Sequence, residues 1–161
     1  LGTVEIGGWD EVFFWANAPG SRLLDEVRPH AEFAVHQALC SPRLELLHTA
    51  VVPLGGDSYR VEVGLANTGW LPTDVSHKAR KARMVLPLVA ELSGAPVVGG
   101  PARQELGQLA GRLDMQFAYG KHDGTPDRLL VRWVVQAAAG TTVTVTATHP
   151  RAGHVSTTIT L

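Results

Sequence analysis

The sequence predicts a mainly β protein, an immunoglobulin-like antiparallel β-sandwich of seven to eight strands over residues 42–161, preceded by an N-terminal helical segment. Apolar and polar residues alternate with period two in several short stretches of residues 42–161. Turn-forming residues separate these stretches, and no helical pattern alternates with them. Since parallel strands need long, usually helical crossovers, antiparallel strands fit this pattern better.

The first region, residues 1–41, has helical and aromatic character. Apolar residues recur at helical spacing over residues 21–40, and Ser21 is the expected N-cap. Pro29 lies inside the pattern and should kink this helix or divide it in two. The boundary to the sandwich falls at Ser41-Pro42, because proline commonly follows the end of a helix.

The predicted strands follow the alternating stretches. They cover residues 44–46, 59–65, 84–90, 113–119, 129–135, 142–148 and 155–161. Hairpin turns are expected at Gly55–Asp57 and Pro150–Gly153, and Asn67-Thr68-Gly69 should end the second strand. Trp133 is expected in the core between the sheets.

Composition excludes several classes of protein. Apolar residues make up 45% of the 161 residues and charged residues 18%, which is typical of a globular chain. The net charge of −1 indicates neither a nucleic-acid partner nor an anionic membrane surface, and neither a membrane-spanning stretch nor a signal peptide is visible. Cys40 is the sole cysteine, so an internal disulfide and a Cys-rich zinc site are both excluded. The chain starts at Leu1 within sequence of ordered character, and we expect it to be a piece of a longer protein.

The histidines and basic residues show no complete catalytic or metal-binding pattern. His149 and His154 flank a predicted hairpin and could face each other as two metal ligands, but solvated turn histidines are the favoured interpretation. The basic run at residues 77–83 could contact phosphates, although a solvated loop or a short helix crossing between the sheets fits better. Asp74, Ser76 and His77 lack the surroundings of a catalytic triad. We therefore predict no metal site and no cofactor within this chain.

Two tryptophans are candidate binding residues. Trp9 belongs to an aromatic cluster with Phe13, Phe14 and Trp15, which we expect to pack against the N-terminal helix. If exposed instead, the cluster could stack on carbohydrate or contact a partner protein. Trp70 follows Gly69 in a predicted loop and is the second candidate.

The order of several short phrases resembles the C-terminal region of bacterial zinc carboxypeptidases related to carboxypeptidase A, namely the end of the catalytic domain followed by a β-rich extension. The phrases are residues 1–10, 24–34, 67–73, 102–107 and 148–153. The resemblance implies a parent enzyme that removes C-terminal residues from peptides with zinc, held by a His-x-x-Glu pair and a later histidine. This chain has no His-x-x-Glu, so the zinc site would lie upstream.

The resemblance makes Glu5 a candidate general base in the context of the full enzyme, because it lies on a short strand-like stretch before the helix. A glutamate further upstream fits that role better, and Glu5 could also be a structural carboxylate. We expect a non-catalytic accessory domain that braces or gates the upstream peptidase domain or mediates oligomerisation. An independent carbohydrate- or protein-binding module is the alternative, and a free-standing hydrolase has the least support.

Overall fold

The computed structural model describes residues 2–5, 7–8, 12, 15–113 and 124–161. The chain forms two compact units, Leu1–Leu39 and Cys40–Leu161. No helix in the described ranges is both long enough and apolar enough to span a membrane.

The first unit contains the helix α1 (Leu23–Leu39). The carbonyl of Arg22 accepts a hydrogen bond from Glu26 N at 3.0 Å, so Arg22 and not the predicted Ser21 lies at the N-cap. The helix continues without interruption past Pro29, and the predicted division there is wrong. Proline removes one N–H, and one missing hydrogen bond in a helix of 17 residues does not end it.

The second unit is an immunoglobulin-like β-sandwich of two antiparallel four-stranded sheets. Its strands are β1 (Leu44–Gly55), β2 (Ser58–Asn67), β3 (Leu88–Ser93), β4 (Val97–Gly99), β5 (Arg103–Gly107), β6 (Arg128–Gln136), β7 (Thr142–His149) and β8 (Gly153–Thr160), with the short helix α2 (His77–Lys81) between β2 and β3. The first sheet has the order β1-β2-β6-β4 and the second β5-β3-β7-β8. The first order matches strands A, B, E and D of an immunoglobulin fold, and β3, β7 and β8 take the positions of C, F and G.

The core lies between the inward faces of the two sheets, as the alternating pattern predicts. Trp133 on β6 is buried there, which confirms its expected place, and its indole N–H donates to the carbonyl of Ala102 at 3.0 Å. This bond satisfies the one polar atom of the largest core side chain. Its neighbours in the core are apolar residues from both sheets, including Val61, Leu88 and Val145.

Both predicted hairpins are confirmed, at the β1–β2 and β7–β8 turns. The strand predicted over residues 84–90 begins only at Leu88, and Met84 and Leu86 are exposed. Pro87 directly precedes the strand and has no N–H to donate to a sheet, which explains the late start. In the strand predicted over residues 113–119, Leu113 lies in a short helical turn, and residues 114–119 lie outside the described part of the chain.

Candidate binding surface

Asn67, the last residue of β2, organises one end of the sandwich. Its buried side-chain oxygen accepts hydrogen bonds from Arg43 N at 2.9 Å and Gly69 N at 3.0 Å. Its amide group donates to the carbonyls of Leu71 at 2.9 Å and Ala110 at 3.0 Å. These four bonds use the full capacity of one carboxamide, and they join three chain segments that lie far apart in sequence.

Two glycines allow the backbone around Trp70 to pack closely. A Cβ atom at Gly69 would lie 2.8 Å from the Cα of Pro42, and one at Gly111 would lie 2.5 Å from the carbonyl carbon of Leu71. Both distances are shorter than van der Waals contact, so only glycine fits at either position. Together with the hydrogen bonds of Asn67, these close backbone contacts fix the position of the main chain at Trp70.

The indole of Trp70 is 42% exposed, and the guanidinium carbon of Arg112 lies 5.9 Å from the ring centroid. This geometry is a cation–π contact. An exposed aromatic ring on a fixed backbone offers a stacking surface, and the guanidinium can donate hydrogen bonds to a carboxylate or a hydroxyl. The candidate residue Trp70 therefore lies at the surface beside a cationic group.

The segment between β2 and β3, residues 68–87, crosses from one sheet to the other and carries α2. This confirms the interpretation of the basic run as a short helix between the sheets. The hydroxyl of Ser76 accepts from Ala79 N at 3.2 Å and caps the helix, while Arg80 pairs with Asp74 at 3.5 Å. Asp74 and Ser76 are thus engaged in structural contacts, while the side chain of His77 lies outside the described part of the chain.

This connection carries both exposed apolar and exposed basic side chains. The apolar ones are Val75, Met84 and Leu86, and the basic ones are Lys78, Lys81 and Arg83. Val75 has φ = 65°, a left-handed conformation that is unusual for a β-branched residue. The connection therefore combines apolar exposure, positive charge and local backbone strain.

His149 and His154 do not face each other, and the solvated-turn interpretation is wrong for His149. In the β7–β8 ladder Thr148 is opposite His154 and His149 is opposite Gly153. Because neighbouring residues of a strand point to opposite faces, His149 is buried while His154 is exposed and bonds to the Thr148 hydroxyl at 2.9 Å.

A polar network surrounds His149, and the sequence analysis did not predict it. The Nε2 atom of His149 and the hydroxyl of Thr73 lie 3.2 Å and 2.7 Å from the side-chain oxygen of Gln108, which accepts from both. The amide group of Gln108 donates to the carbonyl of Leu86 at 2.9 Å, and Thr73 accepts from Leu109 N at 2.9 Å. Every polar group has a partner, so the network braces the segment between β2 and β3.

The remaining candidate residues from the sequence lie in the first unit. Glu5 is exposed in the first unit. Trp9 lies outside the described residues, so no statement on its exposure follows. Phe13 and Phe14 of the same aromatic cluster also lie outside the described residues. Trp15 is 75% exposed, so the predicted burial is wrong for this residue. In the described part of the chain, no three His, Cys, Asp or Glu side chains group closely enough to hold a metal ion.

The DUF8731 family, described as a domain of unknown function, matches residues 43–160, which span the sandwich from β1 to β8. The chain belongs to this family. No curated protein matches the chain.

Among solved structures, the chain is similar to DesR, a β-glucosidase from Streptomyces venezuelae in complex with D-glucose. The sequence identity is 14% and the TM-score is 0.31. The match covers 74% of this chain and 15% of the glucosidase, so the chain corresponds to a small part of that enzyme's length.

Proposed function

We propose that this chain is a non-catalytic accessory module of a zinc metallocarboxypeptidase-like protein and that α1 docks onto the peptidase domain. The observation that carries the proposal is the apolar stripe of α1, defined as Leu24, Val27, Val35 and Leu39. At 100° per residue these four side chains fall on one side of the helix.

The apolar stripe is uncovered. The exposed fractions are 69% for Leu24, 50% for Val27, 61% for Val35 and 76% for Leu39. No residue of α1 is buried. Burial of one such side chain stabilises a protein by roughly 1.5–3 kcal/mol, so four in a row on one face favour a covering surface. A helix of this kind is typical of an element that docks onto a neighbouring domain.

The identity of the covering domain is proposed from the sequence. The phrases at residues 1–10 and 24–34 resemble the end of a carboxypeptidase A-like catalytic domain, and α1 includes the second of them. Under this proposal α1 packs on the peptidase core, the sandwich braces it, and zinc belongs to the peptidase domain. Glu5 precedes α1 and would contribute, if at all, only in the assembled enzyme.

Binding to a peptidase domain tests the proposal. The probe is the purified catalytic domain of a bacterial zinc carboxypeptidase related to carboxypeptidase A, titrated calorimetrically into residues 1–161. We expect binding that Val35→Lys weakens at least about tenfold, since a lysine in the stripe must be desolvated. Gln37→Lys adds the same charge on the opposite side of α1 and should bind like the unaltered chain. No binding, or equal loss for both variants, would count against docking through the stripe.

Hydrolysis by the chain alone tests the non-catalytic assignment. Residues 1–161 with added zinc should release no C-terminal residues from peptides, and metal analysis of the same sample should find no stoichiometric zinc. Stoichiometric zinc together with C-terminal cleavage would show that this chain builds its own catalytic site, and the accessory assignment would then be wrong.

An independent carbohydrate- or protein-binding module is the second candidate, and the exposed Trp70–Arg112 pair favours it. The test is binding of a panel of neutral and acidic oligosaccharides, read by calorimetry. If the chain is a carbohydrate-binding module, Trp70→Ala should abolish oligosaccharide binding. Trp15 is an exposed tryptophan of the other unit, and Trp15→Ala should leave the binding unchanged. If none of the oligosaccharides bound, carbohydrate recognition by this surface would be ruled out.

A further inference from the structure

A cavity of about 240 Å³ lies on the outer face of the first sheet, at the end where β2 leads into the connection to β3. Ala66 is one of the residues that line it. Val63 and Leu65 of the same strand are buried in the core, so the neighbouring Ala66 points to the opposite face. Pockets for drug-sized ligands have volumes of roughly 300–1,000 Å³, so this smaller cavity suits a ligand of the size of one amino-acid residue or one sugar ring.

A β-bulge in β1 supplies an apolar wall of the cavity. Leu46 and His48 pair with successive residues of β2, so Leu47 between them is an extra residue that has none opposite it. Leu47 lines the cavity and is 51% exposed. Bulges re-aim side chains and are common beside functional sites. The exposed leucine therefore offers a contact for the apolar part of a small ligand.

One of the two arginines that line the cavity is already neutralised. Arg128, opposite Ala66 in the β2–β6 ladder, donates to the carboxylate of Asp127 from Nε at 3.1 Å and from Nη2 at 2.8 Å. The other is Arg112, whose guanidinium contacts the ring of Trp70. In the part of the chain that the structure describes, the side chain of Arg112 donates no hydrogen bond and pairs with no carboxylate. The lining of the cavity therefore carries one positive charge that is not balanced.

The other polar side chains of the cavity have partners. The carboxamide of Asn67 uses its full capacity in the four hydrogen bonds described above. The hydroxyl of Thr68 accepts from Nε of Arg43 at 3.1 Å and donates to the carbonyl of the same residue at 3.4 Å. A ligand therefore finds its main hydrogen-bond donors on Arg112, and a guanidinium binds a carboxylate through two parallel N–H···O bonds.

We propose that this cavity binds the C-terminal residue of a peptide, with its carboxylate on the guanidinium of Arg112 and an apolar side chain against Leu47. One unbalanced positive charge matches one carboxylate, whereas a phosphate dianion would bring an unmatched negative charge close to Asp127. A uronic acid carries the same carboxylate, but its ring hydroxyls would meet Asn67 and Thr68, which are already bonded. An apolar amino-acid side chain needs no hydrogen-bond partner, and so it fits the cavity better.

Titration of nitrogen-15-labelled residues 1–161 with three small ligands, followed by NMR, tests the ligand class. N-acetyl-leucine should shift the amide signals of Leu47 and Arg112. N-acetyl-leucinamide lacks the negative charge and should bind at least about tenfold more weakly. Equal binding of the acid and the amide, or no binding of either, would overturn the proposal. Tighter binding of glucuronic acid, the third ligand, would overturn the assignment to a peptide.

A pair of arginine variants tests the role of the guanidinium. Arg112→Gln removes the unbalanced charge and should raise the dissociation constant of N-acetyl-leucine by at least about tenfold. Arg103→Gln makes the same change at an exposed arginine of the second sheet and should bind like the unaltered chain. If both variants lost affinity equally, Arg112 would not hold the carboxylate.

A pair of leucine variants tests the location of the site without altering any arginine. Leu47→Asp places a carboxylate on the apolar wall and should repel N-acetyl-leucine. Leu54→Asp makes the same change near the other end of β1, at a leucine that is 50% exposed, and should leave the binding unchanged. Thermal unfolding of both variants verifies that they are folded. Equal binding by the two variants would exclude this cavity as the site.

One more variant separates this inference from the docking of α1. The residues that line the cavity all belong to the unit Cys40–Leu161, so the inference concerns that unit alone. Val35→Lys, in the apolar stripe, should therefore bind N-acetyl-leucine with the affinity of the unaltered chain. A loss of binding in this variant would contradict a site built by the sandwich alone.

Discussion

The Nε2 atom of His149 lies 3.2 Å from the side-chain oxygen of Gln108, and the contacts of the two ring nitrogens together show which of them carries the proton. The other ring nitrogen, Nδ1, accepts hydrogen bonds from the backbone N–H groups of Arg151 at 3.2 Å and Ala152 at 3.3 Å. Nε2 therefore carries the proton and donates to Gln108. The buried ring is neutral, and a second proton on Nδ1 would break both backbone contacts.

The first prediction concerns pH. Burial lowers the pKa of His149 below its ordinary value of 6.5; a backbone contact with Leu86 opposes this shift, and the charge of Arg151 adds to it. The unfolded chain thus binds a proton at a higher pH than the folded chain, so this contribution to stability is present above pH 6.5 and is lost as the pH falls through the folded-state pKa. Urea unfolding followed between neutral and mildly acidic pH should show the free energy of unfolding decreasing toward acid.

His149→Gln removes this titration and should flatten the decrease below neutral pH, although the variant is less stable at neutral pH because the backbone contacts are lost. His154→Gln is the matched control, an exposed histidine on the same hairpin. If both variants flattened the pH profile equally, the assignment to the buried ring would be wrong.

The second prediction concerns Asn67. Asn67→Ala leaves two backbone N–H donors and two carbonyl acceptors without the carboxamide that they bond, so the free energy of unfolding should decrease by at least about 2 kcal/mol. Gln104→Ala removes one solvent-exposed hydrogen bond to the carbonyl of Arg132 and should cost less than about 1 kcal/mol. Denaturant unfolding measures both, and equal losses would refute the special role of Asn67.

The third prediction concerns Val75, whose φ of 65° is unfavourable for a β-branched side chain. The side chain is 56% exposed and contributes little packing, so Val75→Gly should stabilise the protein by about 1 kcal/mol. Val98→Gly, at a similarly exposed valine in β4 with ordinary φ, should destabilise it by a similar amount. Thermal unfolding measures both, and a loss of stability for Val75→Gly would mean that the valine is not strained.

Much of the sandwich follows from local patterns. Period-two alternation and turn residues predicted both hairpins and the strands β1, β2, β6, β7 and β8, because the alternation within each strand reflects the burial of one of its faces. The short strands β4 and β5 were not predicted. The prediction failed where one residue overrode the pattern, as at Pro87, which delays the start of β3. The division of the helix at Pro29 was also wrongly predicted, since α1 continues through this residue.

The candidate binding surface was harder to predict because its contacts join distant segments. Asn67 was read as a turn residue, and nothing local indicated its bond to Ala110, 43 residues away. Gln108 offers no sequence signal at all, since its partners Thr73 and His149 lie on either side in sequence at long range. Trp70, chosen as a candidate because it follows Gly69 in a predicted loop, is exposed in the structure, and its role in binding stays a prediction.

The position of β6 has a consequence for how the protein is made. β6 lies between β2 and β4 in the first sheet, and its ladder joins Ser58 to Gln136 and Ala66 to Arg128. During synthesis, β6 therefore emerges from the ribosome long after β2, with which it pairs. Proteins dominated by such distant pairings fold in roughly milliseconds to seconds, and during that interval the β1–β2 hairpin presents an open edge to other nascent chains and to chaperones.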